Sequence, residues 1–221
     1  MEGRVLMLRA RHVACLPLLL AAAGCVYPSV PPGYRKVKAM IRLKGRSLAV
    51  IPFLSRNPKK FTPRDGVNLA YYMVKDLSAA LPKRRFVGPT EMAAALQTDI
   101  DARNWPAVGR KLGVAALVIG EVTAFDSWED KQMGSREGVI GIRLRVLDVS
   151  GSVPKLITSL RESRFQFPPG TGGRFDPRYT TMEDAAFRRE MLKYAARQVA
   201  RFFYDHLERT KSVSKFRADT L

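Results

Sequence analysis

The chain has 221 residues, of which 46% are apolar and 9% aromatic, and its formal net charge is +18. This composition excludes an intrinsically disordered chain, and the length is sufficient for one domain with its own core. The two cysteines, Cys15 and Cys25, form no CxxC pair, which excludes zinc or redox chemistry of that kind.

The first feature in chain order is an apolar run, Val13–Ala23, that follows three arginines and ends just before a cysteine. A charged segment, a short apolar segment and small residues at a cleavage point are typical of a secretory signal peptide. The run is too short for a membrane-spanning helix, which needs roughly 20 apolar residues, and Pro17 interrupts it. Because the cleavage point precedes Cys25, Leu18–Cys25 resembles a bacterial lipobox.

That resemblance implies that residues 1–24 are removed as a lipoprotein signal peptide and that Cys25 carries the lipid, with palmitate among its acyl chains. It implies a periplasm-facing protein that is lipid-anchored to the outer membrane. Ala22 stands where a lipobox most often has leucine, so an unlipidated, secreted periplasmic protein is the alternative. After processing, Cys25 would be the remaining cysteine, so we expect no intramolecular disulfide.

The lipidated cysteine is predicted to open a linker, residues 25–46, that is rich in proline and in basic residues. Proline favours extended backbone, and the alternation of apolar and basic residues from Val37 to Lys44 favours an edge strand or an extended basic arm. The folded domain is predicted to span residues 47–210, and residues 211–221 are predicted to form a basic C-terminal tail.

Within the predicted domain, the spacing of apolar residues indicates alternating strands and helices. The predicted elements, in chain order, are a buried strand at 48–54, a helix over 64–81, a strand at 85–88, a helix over 91–96 capped by Thr90, a helix over 105–112 ending at Gly113, strands at 115–125, 139–149 and 156–167, and a helix that begins with a capping box between Thr180 and Glu183 and runs to about Arg209. This order predicts an α/β fold: a single-domain layer sandwich with a mixed sheet flanked by helices and a long C-terminal helix.

Three stretches resemble motifs of one group of bacterial envelope proteins. Ser47–Phe53 resembles the strand that opens the domain shared by CsgG, LpoB and the N-terminal domain of TolB. Lys111–Val122 is similar to the helix-to-strand junction of that group, and Arg143–Gly151 is similar to its hairpin. The resemblance covers about residues 45–165 and implies the same fold and an envelope location. Members differ in what they do, so it implies no particular role.

The sequence offers little from which a catalytic site could be built. His206 is the one histidine after residue 24, and it is expected on the surface near the end of the last helix. Asp126–Asp130 is expected to be a solvated acidic loop, with an acid/base pair or a Ca²⁺ site as the alternative. Gly170–Gly173 lacks the lysine that follows the glycines of a phosphate-binding loop. We therefore expect no catalytic residue, no cofactor and no metal, and predict that the protein is not an enzyme.

The charge of +18 is consistent with affinity for anionic surfaces, which in the periplasm are lipid head groups and cell-wall carboxylates, and a diffusely solvated basic surface is the alternative. The predicted function is that of an accessory module in envelope assembly, secretion or cell-wall synthesis. It would be held at the membrane through Cys25, would dock an envelope protein and could form an oligomer. The alternative, a basic nucleic-acid-binding domain, conflicts with the export signal, so no nucleic acid is expected. Trp128 and the loop around Phe167 are expected to be exposed and are candidates for partner contacts, with packing on the sheet edge as the alternative for each.

Overall fold

The computed structural model describes residues 30–31, 33–96, 104–130, 135–169 and 177–209. Their elements in chain order are β1 (Tyr34–Val37), β2 (Leu48–Val50), β3 (Leu54–Ser55), α1 (Pro63–Ala80), β4 (Phe86–Val87), α2 (Pro89–Leu96), α3 (Trp105–Leu112), β5 (Ala116–Asp130), β6 (Ser135–Asp148), β7 (Lys155–Phe167), α4 (Pro177–Thr180), α5 (Asp184–Ala200), a 3-10 turn (Arg201–Phe203) and β8 (His206–Arg209). The chain divides into two compact units, Val37–His206 and a smaller unit formed by the two terminal segments. The signal peptide, Cys25 and the C-terminal tail lie outside the described residues.

The larger unit is built on a six-stranded mixed sheet with the order β4-β2-β5-β6-β7, in which β3 also pairs with β5. β2 lies parallel to both β4 and β5, and β3 lies parallel to β5. β5, β6 and β7 are antiparallel neighbours. The predicted fold class, an α/β layer sandwich with a mixed sheet and a long C-terminal helix, is confirmed.

Alternate residues of the central strands belong to two separate apolar clusters. Leu48 and Val50 of β2 belong to the larger cluster, which includes residues of α1 and α5, whereas Ala49 between them belongs to the smaller cluster with α2 and α3. Side chains alternate between the two faces of a strand, so a short apolar run can be buried on both faces. The helices therefore form one layer on each face of the sheet.

Two helix ends follow directly from local sequence. At the start of α1, the N–H of Thr62 donates to the Asp65 carboxylate at 2.7 Å, and the N–H of Asp65 donates to the Thr62 hydroxyl at 3.3 Å. Pro63 suits the first helical position, where its missing N–H would have no partner. α3 ends as predicted at Gly113, whose φ of 63° is the left-handed conformation that glycine adopts without strain.

The sequence prediction is wrong at the last helix. α5 begins at Asp184 with Glu183 at its N-cap position, so the helix does not start at the capping box predicted between Thr180 and Glu183. The helix ends at Ala200 rather than near Arg209, and β8 instead pairs with β1. That pairing depends on a strand at the other end of the sequence, which helical periodicity cannot detect.

Three shorter segments also differ from the prediction. α2 begins at Pro89, so Thr90 lies in its first turn and not at its cap, because proline is favoured at a first helical position. Residues 126–130 continue β5 instead of forming a loop, because they pair with β6. Of the alternating segment from Val37 to Lys44, only Val37 belongs to a strand, as the last residue of β1. Ile41 and Leu43 of this segment are nevertheless buried in the larger cluster.

Candidate functional site

An open apolar groove of about 600 Å³ lies where β2 and β4 end. Its floor is the chain from Ile51 to Leu54, and its walls come from α1, α2 and α3. The lining residues, which together we call the apolar groove, are Ile51, Pro52, Leu54, Val67, Pro89, Thr90, Met92, Ala93, Trp105 and Val108. In open α/β sheets, ligands bind beyond the carboxyl ends of parallel strands where the chain reverses its direction of travel across the sheet. The groove occupies that position, because the chain passes from β2 to β4 and then to β5 on the other side of β2.

The backbone of the groove floor has few hydrogen-bond donors left for a ligand. The N–H of Ile51 donates to the carbonyl of Val118 at 3.0 Å, and the N–H of Phe53 donates to the carbonyl of Gly66 at 3.2 Å. Pro52 has no N–H. Apart from the indole of Trp105, Thr90 is the only lining residue whose side chain carries a polar atom. The groove therefore favours an apolar ligand over a polar one.

Phe53 fixes the position of the groove floor between α1 and β5. Its side chain is buried, and two glycines allow the close approach. A Cβ atom at Gly120 would lie 2.1 Å from the Phe53 ring, and one at Gly66 would lie 2.0 Å from the Phe53 carbonyl oxygen. Both distances are far below van der Waals contact, so these positions require glycine for the observed packing.

Apolar surface continues from the groove onto exposed side chains. Leu54 is 67% exposed, Val67 is 42% exposed, and Tyr71, one turn after Val67 on the same face of α1, is 52% exposed. Sequence reasoning missed this site, because its residues come from four separate segments of the chain. The one local signal is Val67, an apolar residue of α1 that is exposed.

A buried ion pair between Asp65 and Arg188 joins α1 to α5. Among the described residues, Asp65 is the one buried side chain that carries a charge. Arg188 donates from Nε to one carboxylate oxygen at 2.9 Å and from Nη2 to the other at 2.5 Å, and its guanidinium lies 4.4 Å from the centre of the Phe125 ring. Burial alone raises the pKa of Asp65, but the hydrogen bonds from Arg188 and Thr62 outweigh it and hold the pKa below its ordinary value. An aspartate kept ionised in this way stabilises the fold and is unsuited to proton transfer.

A smaller pocket of about 180 Å³ lies between the β5–β6 hairpin and α5, where Arg136 and Arg188 contribute to its lining. Arg136 bonds to Asp184 and donates to the carbonyl of Met182 at 2.9 Å, and Arg188 is paired with Asp65. Both guanidinium groups are therefore already neutralised by carboxylates. This pocket has no excess positive charge to attract an anion, so the apolar groove is the stronger candidate site.

The structure places the sequence-predicted residues as follows. Cys25 and Gly170–Gly173 lie outside the described residues. Trp128 lies on β5 opposite Glu137 and is 45% exposed, as expected. Phe167 was expected to be exposed but is buried at the end of β7. Its ring packs against the aromatic rings of Tyr179, Phe187 and Tyr194.

The remaining candidates for chemistry are separate from one another. His206 opens β8 instead of lying near a helix end, and its Nδ1 is 3.2 Å from the carbonyl oxygen of Tyr204. Asp126 lies on β5 and pairs with Lys60. Within the described ranges, no group of three or more His, Cys, Asp or Glu side chains is placed to hold a metal ion. None of the helices described is both long and apolar enough to cross a membrane.

No family model and no curated protein matches the chain. Solved structures that match include the PelC dodecamer from Paraburkholderia phytofirmans, at 14% identity and a TM-score of 0.41, over 75% of this chain and 92% of that one. Lipoprotein GNA1162 from Neisseria meningitidis matches at 14% identity and a TM-score of 0.39, over 70% and 97%. The LpoB C-terminal domain from Salmonella enterica matches at 12% identity and a TM-score of 0.37, over 66% and 89%.

These matches include LpoB, one of the three proteins whose motifs the sequence resembles, whereas the resemblance to CsgG and TolB stays a prediction.

Proposed function

We propose that this chain is a lipid-anchored protein of the bacterial cell envelope that acts as a non-catalytic interaction module. The observation that carries the proposal is Leu18–Cys25, in which an apolar segment ends in small residues and a cysteine. Lipid on Cys25 would hold the domain at the periplasmic side of the outer membrane. Its role would be to dock an envelope protein during envelope assembly, secretion or cell-wall synthesis.

One face of the sheet packs against the larger apolar cluster, and the opposite face carries basic residues. These basic residues support a membrane-facing or wall-facing role. α2 and α3 cover the part of this face near β2, and further along the sheet β6 and β7 carry the exposed arginines Arg143, Arg145, Arg161 and Arg164. Glu121 and Glu162 offset part of this charge. One acyl anchor binds a membrane more firmly when basic residues add attraction to anionic lipid, so the two features would act together.

The anchor is tested by labelling cells with radioactive palmitate and separating membrane from soluble fractions. We expect the wild-type chain to carry label and to sediment with membranes, whereas Cys25→Ala should carry no label, because it lacks the only thiol at the cleavage point. Cys15→Ala is the matched control, since it removes the other cysteine, and it should label like the wild type. Label that persists in Cys25→Ala, or a soluble and unlabelled wild type, would contradict the proposal.

Docking of a partner is tested at Trp128, because an exposed indole on a rigid strand is typical of an interface anchor. A photo-crosslinking amino acid at position 128 should give one discrete crosslinked species in cells. The same probe at position 153, where Val153 is exposed in the β6–β7 turn, should not give that species. The species should also disappear in Cys25→Ala, which would no longer be at the membrane. Equal crosslinking at both positions would contradict a specific contact at Trp128.

A further inference from the structure

We propose that the apolar groove binds the hydrocarbon chain of a long-chain fatty acid. This site goes beyond the proposed function, because neither lipidation of Cys25 nor docking of a protein requires it. The groove volume of about 600 Å³ lies within the range of roughly 300–1,000 Å³ that is usual for small-molecule sites.

The chemistry of the lining selects a hydrocarbon chain. Eight of the ten lining residues, all except Thr90 and Trp105, carry side chains without a polar atom. A peptide strand in the groove would have to pair its own N–H and C=O groups, but the N–H groups of Ile51 and Phe53 are already bonded and Pro52 has none. A hydrocarbon chain has no polar group, so it gives up no hydrogen bonds to water when it enters this lining.

The size of the groove argues against a docked helix. An α-helix with its side chains is about 10 Å wide, so 600 Å³ would hold only about one and a half turns. A docked amphipathic helix normally inserts side chains from several successive turns. An acyl chain is much thinner than a helix, and it can follow the floor from Ile51 to Leu54 between the helical walls.

Polar groups suited to a carboxylate lie at the groove and beside it. Thr90 provides a hydroxyl within the lining itself. Arg64 is exposed on α1, three residues before Val67, and positions three apart lie on the same face of a helix. A guanidinium at this place can pair with a carboxylate, which favours a fatty acid over an uncharged hydrocarbon.

The two tryptophans of the chain allow a direct test, because Trp105 lines the groove and Trp128 does not. The full chain would be reconstituted in phosphatidylcholine vesicles and titrated with palmitate that is brominated on its hydrocarbon chain, since bromine quenches a nearby indole. We expect saturable quenching in Trp128→Phe, which retains Trp105, and reversal of that quenching by unbrominated palmitate. Trp105→Phe should show only weak quenching that does not saturate, from fatty acid dissolved in the bilayer.

Substitutions in the Trp128→Phe background identify the site. Val67→Asp places a charge on the groove wall at a partly exposed position, and it should weaken binding at least tenfold. Val153→Asp, at an exposed apolar residue of the β6–β7 turn, is the matched control and should leave binding unchanged. Arg64→Gln should weaken binding of brominated palmitate several-fold and leave binding of the brominated C16 alcohol unchanged. If Val67→Asp does not fold, Ala93→Leu fills the groove from an exposed position and should weaken binding in the same way.

Three results would overturn the proposal: no saturable quenching of Trp105, equal quenching of both tryptophans, or binding that none of the groove substitutions weakens. A dimer that Val67→Asp dissociates and palmitate leaves intact would assign the groove to a second copy of the chain instead. The palmitate-labelling experiment on Cys25 measures a covalent bond. Failure of the fatty-acid site can therefore be distinguished from failure of the proposed lipid anchor.

Discussion

Replacement of Phe53 with alanine is expected to lower the free energy of unfolding by about 3–5 kcal/mol, the range measured when a buried phenylalanine is truncated to alanine. Phe53 is buried between α1 and β5, where Gly120 lies against its ring and Gly66 lies against its backbone carbonyl. The surrounding structure cannot collapse into the vacated volume without moving α1 or the sheet. Urea unfolding followed by circular dichroism would measure the loss.

Adding a methyl group at Gly120, instead of removing the Phe53 ring, tests the same contact. Gly120→Ala would place a methyl group 2.1 Å from the Phe53 ring, and overpacking of this kind costs roughly 1–3 kcal/mol. Combining it with Phe53→Leu should recover part of that loss, because the smaller side chain leaves space for the methyl group. Gly151→Ala, where the nearest atom lies 3.8 Å from the new Cβ, is the matched control and should stay within about 0.5 kcal/mol of the wild type. If Gly120→Ala were as stable as Gly151→Ala, the described packing around Phe53 would be wrong.

Replacement of Arg188 with methionine should lower the free energy of unfolding by about 2–3 kcal/mol. Breaking a fully buried ion pair costs roughly 3–5 kcal/mol, and the smaller value applies here because the Arg188 side chain is 34% exposed and water screens the pair in part. The loss arises mainly because Asp65 would keep a buried charge without its strongest hydrogen-bond donor. Arg189→Met changes the next residue of α5, which is exposed, and it should alter stability by less than about 0.5 kcal/mol. Equal effects of the two substitutions would contradict the assigned role of Arg188.

The same ion pair makes the free energy of unfolding depend on pH. Because the pKa of Asp65 is lower in the folded state than in the unfolded state, its contribution is fully present above the ordinary pKa of an aspartate. The contribution is lost as the pH falls through the lower pKa of the folded state. Asp65→Asn should therefore be less stable than the wild type at pH 7, and the difference should shrink as the pH falls below about 4. A difference that stays constant down to pH 2 would show that ionisation of Asp65 does not matter.

Local patterns in the sequence were enough to predict most of the larger unit. The apolar spacing of residues 64–81 predicted α1 to within a residue of its bounds, and Gly113 marked the end of α3. β5 was predicted from its apolar run, but four of its last five residues are polar, and this end forms a strand because β6 pairs with it. Periodicity detects apolar burial, so it missed an extension that depends on hydrogen bonds between strands.

Features that depend on contacts between distant segments could not be predicted in the same way. β8 exists because it pairs with β1, and the groove exists because Ile51, Val67, Met92 and Trp105 meet in space. Phe167 was expected to lie in an exposed loop, but three aromatic rings from α4 and α5 bury it. The sequence contains these residues without recording which of them are neighbours.

Mass spectrometry of the N-terminal peptide tests most directly whether Cys25 is the lipidated first residue of the processed protein. The protein would be purified from the membranes of its own host after expression of the full chain. We predict a peptide that begins at Cys25 and carries the added mass of a diacylglyceryl group, with no peptide from residues 1–24. An unmodified Cys25, or an N-terminal peptide that still contains Met1, would contradict the claim.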